Sequence, residues 1–349
     1  MSWTIFISDY GLFILKLITI ILIPVVAFFI IFSMKQANHD GELVITDLSE
    51  KFAEDTKKLS DFHVDEKTLK DLEKQQKKAD KKLAKQKKKE KGVFVRKPHL
   101  FVLDFKGDIA ASQTAALREE ISAIIAVAKA GDEVLLRLES PGGMVTGYGL
   151  AASQLMRLKQ HNIPLTVAVD KVAASGGYMM ACVADKVIAA PFAILGSIGV
   201  VAQVPNIHRL LKKHDVDVDV MTAGEYKRTV TMLGENTEKG KEKFQQELNE
   251  THDLFKQFVA ENRPAVDIDK VATGEHWFGQ QALALQLADE INTSDDVLVA
   301  AFQKNTQSIL SVKYQVKKGL LQKFGKQVEE SSENIVTKLM SKQRQDFIS

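Results

Sequence analysis

Two glycine-rich turns carry the residues best suited to chemistry. The first, Ala173-Ala174-Ser175-Gly176-Gly177, follows the apolar stretch Pro164 to Val169 and opens a short helical run through Ala184. A serine at such a junction has its hydroxyl near backbone N–H groups that a helix start leaves unpaired, and these stabilise negative charge as it develops. Gly176 and Gly177 let the chain turn tightly and leave space for a substrate carbonyl. The same residues would also make an ordinary helix cap. The second turn is Ser140-Pro141-Gly142-Gly143, after the apolar stretch Glu133 to Leu138. Turns after adjacent parallel strands emerge at the same sheet edge, where α/β active sites gather. A backbone N–H of Gly143 or Gly142 and that of Gly176 could together hold an oxyanion. A pair of plain strand-to-helix turns is the other reading.

A serine nucleophile needs a base. His208 and His214 lie in a polar helical stretch and His161 ends a helix, so no histidine stands out. A lysine has an ordinary pKa of about 10.4 and serves as a base only where burial lowers it. Lys227 lies in Thr222-Ala223-Gly224-Glu225-Tyr226-Lys227-Arg228, after an apolar strand. Composition alone does not distinguish it from the other lysines, most of which are solvated surface charges.

The remaining chemistry is sparse. Cys182 is the single cysteine, so no intramolecular disulfide forms, and the eight histidines are scattered. No Cys/His cluster has zinc-ligand spacing, and neither a metal nor a cofactor is expected. The net charge of +2 makes no global demand for a nucleic-acid partner.

These turns need a scaffold. His99 to Phe105, Glu133 to Leu138, Pro164 to Val169 and Lys186 to Ala190 read as strands; Gln113 to Ala130 and Tyr148 to Gln160 read as helices. Short connections between alternating strands and helices predict an α/β fold with crossover units. The uncharged stretch from Val187 to Val204 contains Pro191, Gly196 and Gly199 and reads as buried strand and loop. Helices are expected to dominate from Glu238 to Gln303.

The ends differ from this body. Leu17 to Met34 carries no charge. Eighteen helical residues reach about 27 Å, close to the ~30 Å hydrocarbon thickness. Residues 1–34 are therefore expected to form a membrane anchor that partners the lipid bilayer. Residues 35–97 are expected to form a charged stalk, with lysine dominating from Glu73 to Lys91. That run suits a solvated helix or a tether near anionic head groups. It has no aromatic residues on which bases could stack. Residues 98–306 make the folded domain and 307–349 a basic, polar tail.

Four segments in order carry a resemblance: LRLESPGGMVTGYGLAASQL, PLTVAVDKVAASGGYMMACVADKVIAAPFAILGSIGVVAQ, TAGEYKRTVTMLGENTEKGKEKF and VATGEHWFGQQALALQLADEI. Together, SPGG, ASGGY, GSIGV and GEYKR resemble the SppA-type signal peptide peptidases, and among them the bacterial SohB group. The resemblance spans roughly residues 98–295. It implies a ClpP/crotonase-like superhelix of ββα units and hydrolysis of peptides, including membrane-released signal peptides, through an acyl-enzyme. It implies Ser175 as nucleophile, Lys227 as base, Gly143 and Gly176 as oxyanion donors, and Ser197 as the hydroxyl that holds the lysine. It further implies a homo-oligomer whose active sites are shared between subunits, and a body on the periplasmic side of the bacterial inner membrane. Met179, Met180 and Ile198, near Ser175 in sequence, suggest apolar substrate pockets. One departure is Gln286, where the family usually has glycine. A crotonase-type acyl-thioester enzyme and a catalytically silent membrane scaffold or chaperone are the competing readings of such a fold.

Overall fold

The computed structural model describes residues 41–65 and 96–316, with Ile20, Thr68, Asp71, Lys74 and Lys78 as isolated positions. The chain divides into two units, residues 43–314 and residues 1–42 with 315–349. Of the second, the described residues are Ile20 and the strand-end residues Gly41, Glu42, Gln315 and Val316.

The first unit is a mixed α/β body. Its elements run β1 (Gly41–Asp47), α1 (Leu48–Asp61), β2 (His99–Lys106), α2 (Thr114–Val127), β3 (Glu133–Glu139), α3 (Val145–Gln160), β4 (Leu165–Val169) and β5 (Val172–Ala174). They continue with α4 (Gly176–Ala181), β6 (Lys186–Ala189), β7 (Ile194–Gly196), α5 (His208–Lys213), α6 (Glu238–Asn262) and α7 (Ile268–Val271). The last are β8 (His276–Phe278), α8 (Gly279–Ala284), β9 (Glu290–Ile291), α9 (Ser294–Lys304) and β10 (Ser308–Val316).

Seven strands form one sheet in the order β1-β10-β2-β3-β4-β6-β9. Every pairing from β10 to β9 is parallel. Helices cover both faces of such a sheet, so its strands are apolar on both sides rather than alternating. Phe101, Leu103, Phe105, Val134, Leu136 and Leu138 enter the larger core, which α2, α3 and α4 complete. The intervening Leu100, Val102, Leu135, Ala168 and Ile188 face a second core with Leu298 of α9 and Ile309 of β10. Leu117, Ile121 and Ile124 lie on one face of α2, at helical spacing, and bury it on the larger core.

A three-stranded sheet, β5-β7-β8, stands beside the strand ends. β5 and β7 are parallel, β7 and β8 antiparallel. A single bridge between Ser140 and Ala173 ties it to the end of β3.

Several expectations shift. Residues 41–61, read as the start of the stalk, form β1 and α1, and the Phe52 ring packs on Phe302 of α9 at 5.5 Å between centroids. The tail assigned from 307 begins with β10, which pairs with β2 near the middle of the sheet. Both segments are strongly polar overall, but a few apolar residues suffice to cover a sheet face. The stretch read as helical from Glu238 to Gln303 also contains β8 and β9, strands too short for periodicity to mark. Of the apolar run from Leu17 to Met34, all but Ile20 lies outside the described residues, as does most of the lysine-rich run. No helix among the described residues is long and apolar enough to cross a membrane.

Candidate active site

Ser175 sits between β5 and α4 with φ 52° and ψ −119°. This left-handed conformation is costly for a residue with a Cβ, typically about 1–3 kcal/mol, and persists only where surrounding contacts impose it. Two backbone bonds do so here. The Ser175 N–H donates to the Gly196 carbonyl at 2.8 Å, and the Met179 N–H donates to the Ser175 carbonyl at 3.0 Å. The amides of Gly176, Gly177 and Tyr178 belong to the first turn of α4 and have no acceptor among the described residues.

The second glycine-rich turn lies directly against the first. A Cβ on Gly142 would come 2.7 Å from Ser175 Cβ and 3.0 Å from the Gly176 nitrogen. Gly142 also has φ 91°, so a side chain is excluded there twice over. At Gly143 a Cβ would fall 2.2 Å from the Ile109 carbonyl oxygen. The Gly143 amide has no acceptor among the described residues, while its neighbours are held: Gly142 N–H by Ser140 Oγ at 3.1 Å and Met144 N–H by the Ile109 carbonyl at 2.7 Å. Unpaired N–H groups of two abutting turns therefore flank Ser175.

Ser197 follows Gly196, the residue that accepts the Ser175 N–H. Both have positive φ, 95° at Gly196 and 51° at Ser197. The Ser197 N–H donates to the Glu275 carbonyl at 2.7 Å. The next carbonyl, of Ile198, accepts from Gly274 N–H at 3.2 Å and lies 3.1 Å from Nε2 of His252 on α6. His252 was not visible as a site residue in the sequence. Tyr148 was not visible either: its hydroxyl is buried against Ser140.

Lys227, the proposed base, is not brought against Ser175 by any hydrogen bond or ion pair among the described residues. It sits exposed in the segment from 199 to 237 that joins β7 to α6, with its own N–H on the Gly224 carbonyl at 3.2 Å. Its side chain makes no hydrogen bond or ion pair among the described residues, so no such contact links it to Ser175 or Ser197 within one chain. In the same segment Val201, Leu210, Met221 and Met232 are all more than half exposed.

The apolar residues proposed from sequence as pockets are core instead. Met180 and Ile198 are fully buried and Met179 nearly so. The two methionines are enclosed because α4 packs its whole length into the larger core, which Ile198 also joins from the turn after β7. The apolar side chains that are exposed beside the Gly142–Gly143 turn are Ile109, Met144 and Val145. No group of three or more His, Cys, Asp or Glu side chains among the described residues is arranged to hold a metal. Cys182 is buried, and burial pushes its thiol up to about 12, which makes it a poor nucleophile.

Residues 157–308 match the peptidase family S49 model and residues 5–155 its N-terminal model. The chain is 63% identical over 348 residues to a "Probable protease SohB" of Haemophilus influenzae, covering 98% of each chain. It is 49% identical to a protein of the same description from Buchnera aphidicola subsp. Schizaphis graminum, over 95% of this chain and 97% of that one. The solved structure of 1510-N, a membrane-bound stomatin-specific protease, aligns over 59% of this chain and 85% of its own, at 14% identity and a TM-score of 0.39.

Proposed function

The chain belongs to peptidase family S49 and is a protease, and from that premise we propose a serine-type endopeptidase with Ser175 as nucleophile and Lys227 as general base. The observation that carries the reading is Ser175 itself, held at φ 52° between two turns that both offer unpaired N–H groups. Strain of this kind collects at reacting residues.

In this mechanism the lysine amine takes the Ser175 proton as Oγ bonds to the peptide carbonyl carbon. The carbonyl electron pair moves to oxygen, and the Gly143 and Gly176 N–H groups hold the resulting oxyanion. Collapse breaks the C–N bond, and the lysine returns the proton to the leaving amine. Water then attacks the acyl-enzyme with the same proton transfers and frees Ser175. The Ser197 hydroxyl orients the amine.

Lys227 reaches this site from a second copy of the chain. The exposed apolar side chains of the segment that carries Lys227 support that assembly, because a monomer would leave them in water. Enclosure at a subunit contact would also remove the lysine from solvent, as a base of this type requires. Repeated strand–strand–helix units, such as β4-β5-α4, fit a ClpP/crotonase-like superhelix. The apolar run from Leu17 to Met34 supports a single span in a bacterial inner membrane, with the body on the periplasmic side. Substrates are peptides, including signal peptides released within the membrane, and no cofactor or nucleic acid takes part.

The test is labelling of the full-length protein by a fluorophosphonate together with peptide turnover. Ser175→Ala should lose both, and Lys227→Ala should lose turnover while staying folded. Near-normal turnover in either variant would overturn the assignment.

A further inference from the structure

A buried chain of hydroxyls runs beneath the two turns. The Gly142 N–H donates to Ser140 Oγ at 3.1 Å. Ser140 Oγ lies 2.6 Å from Tyr148 Oη, and Tyr148 Oη donates to the Asp108 carbonyl at 2.8 Å. Since the tyrosine proton goes to Asp108, the serine is the donor in the bond between the two hydroxyls. Burial raises the Tyr148 hydroxyl above its ordinary pKa and keeps it a donor. Ser140 and Tyr148 are both fully buried, so no water competes for these bonds.

The same tyrosine touches the other turn through its ring. A Cβ on Gly176 would fall 2.4 Å from Tyr148 Cγ, so the ring lies against the Gly176 backbone. A Cβ on Gly107 would fall 2.3 Å from both Tyr148 Oη and Ser140 Oγ, which leaves the pair no room to shift on that side. On the far side the Phe105 ring meets Tyr148 edge-on at 6.4 Å between centroids. Asp108, the last acceptor, is next to Ile109, whose carbonyl holds the Met144 N–H. Gly143 is thus fixed through both neighbours, and its amide is left free.

We infer that Tyr148 is a positioning residue that sets the Gly143 and Gly176 amides relative to each other and so tunes oxyanion binding. This rests on the proposed role of Ser175. Its ring supports one donor and its hydroxyl, through Ser140, supports the other. It touches neither substrate nor reacting atoms.

Tyr148→Phe keeps the ring and removes the hydroxyl link; Ser140→Ala cuts the same chain one bond nearer the turn. The full-length protein and both variants should be compared in kcat, KM and inhibition by a peptide aldehyde, which forms a hemiacetal oxyanion on the serine. Losing an oxyanion donor lowers kcat by about 10²–10³-fold, and a displaced donor should cost at least about tenfold. The expected result is a kcat at least about tenfold lower in each variant, KM within about twofold, and aldehyde affinity falling in proportion to kcat/KM. Unchanged kcat, or a loss in KM with aldehyde affinity unaltered, would overturn the inference. Ser140→Ala decides the outcome if Tyr148→Phe does not fold. Turnover that survives Ser175→Ala would sink the underlying reading instead, while turnover that needs Ser175 yet ignores both variants sinks only the role of Tyr148.

Discussion

The Ser175 N–H rests on the Gly196 carbonyl at 2.8 Å, and this bond joins the nucleophile turn to the turn that carries Ser197. Three positions of positive φ meet there, at Ser175, Gly196 and Ser197. Glycine meets such a demand without strain, whereas serine stores it. Ser175→Gly should therefore be inactive yet melt higher than the wild type, by the equivalent of about 1 kcal/mol after the greater freedom of glycine in the unfolded chain is subtracted. Ser175→Ala should be equally inactive with nearly unchanged stability. Differential scanning calorimetry of the three proteins checks this, and a lower melting point for Ser175→Gly would show that the turn is unstrained.

A shared active site makes a mixing prediction. Ser175→Ala and Lys227→Ala proteins should each be inactive alone. Dissociated and reassembled together at equal amounts, they should regain about a quarter of wild-type turnover, because random pairing unites an intact serine with an intact lysine that often. No recovery at any ratio would place both groups in one chain.

Glu120 provides a pH dependence away from the site. It is buried on α2, and its Oε1 accepts the Tyr314 N–H of β10 at 2.7 Å. Burial pushes its carboxyl up to about 7, with the Asp104 charge adding to the rise and the Tyr314 N–H and Lys313 charge opposing it. Below about pH 4.5 the carboxyl is protonated in folded and unfolded chains alike, and its contribution is fully present. As pH rises toward 7 the unfolded chain ionises first, and stability is lost by on the order of 2–3 kcal/mol. Glu120→Gln keeps the acceptor without the charge. Urea melts of the two proteins should diverge between pH 5 and pH 7.5, with the glutamine variant the more stable at the upper end. Parallel curves across that range would show that Glu120 ionises normally.

The parts of this site that read well from sequence are those fixed by local backbone demands. Gly142, Gly143, Gly176 and Gly177 announce two tight turns, but the second follows β5 of the smaller sheet, a three-residue strand too short to read, and only the Ser140–Ala173 bridge brings it to the end of β3. What did not read is tertiary. Tyr148 resembles any aromatic on an apolar helix face until its hydroxyl is seen against Ser140. His252 resembles any histidine on a polar helix. β1, α1 and β10 lie in polar stretches where a few apolar residues, Leu48, Phe52, Ile309, Leu310 and Val312, mark the side packed on the cores. The four Ser/Lys motif segments carried Lys227 by resemblance alone, and its exposed position in a single chain explains why no local pattern singles it out.

Gln286, noted as a departure from the usual glycine, lies just past the end of α8 with φ 61°. Its carbonyl accepts from Arg263 Nη2 at 2.9 Å, and the same guanidinium pairs with Asp289. The backbone there serves a structural junction, and the glutamine takes a left-handed conformation that glycine adopts freely. Gln286→Gly should raise stability by about 0.5–1 kcal/mol without altering kcat. Chemical denaturation measures the first and peptide turnover the second; a destabilised Gln286→Gly protein would mean that the glutamine side chain does more than its position suggests.

Two glycines of α3, two residues apart and so on opposite sides of the helix, should respond oppositely to the same change. At Gly149 a Cβ would meet nothing within 4 Å, and the backbone is helical. Alanine there should stabilise the protein by about 0.5–1 kcal/mol, since it removes the entropy cost of a mid-helix glycine. At Gly147 the Cβ would fall 2.7 Å from the Ala110 carbonyl oxygen and 3.2 Å from Ala111 Cβ. Alanine there must push the 108–112 loop off α3, and that loop supplies the Ile109 carbonyl to Met144 and the Asp108 carbonyl to Tyr148. Gly147→Ala should therefore lose about 1–3 kcal/mol of stability and also lower turnover, whereas Gly149→Ala should leave turnover unchanged. Equal effects of the two substitutions on turnover would separate the loop from the oxyanion turn, because only Gly147 stands between them.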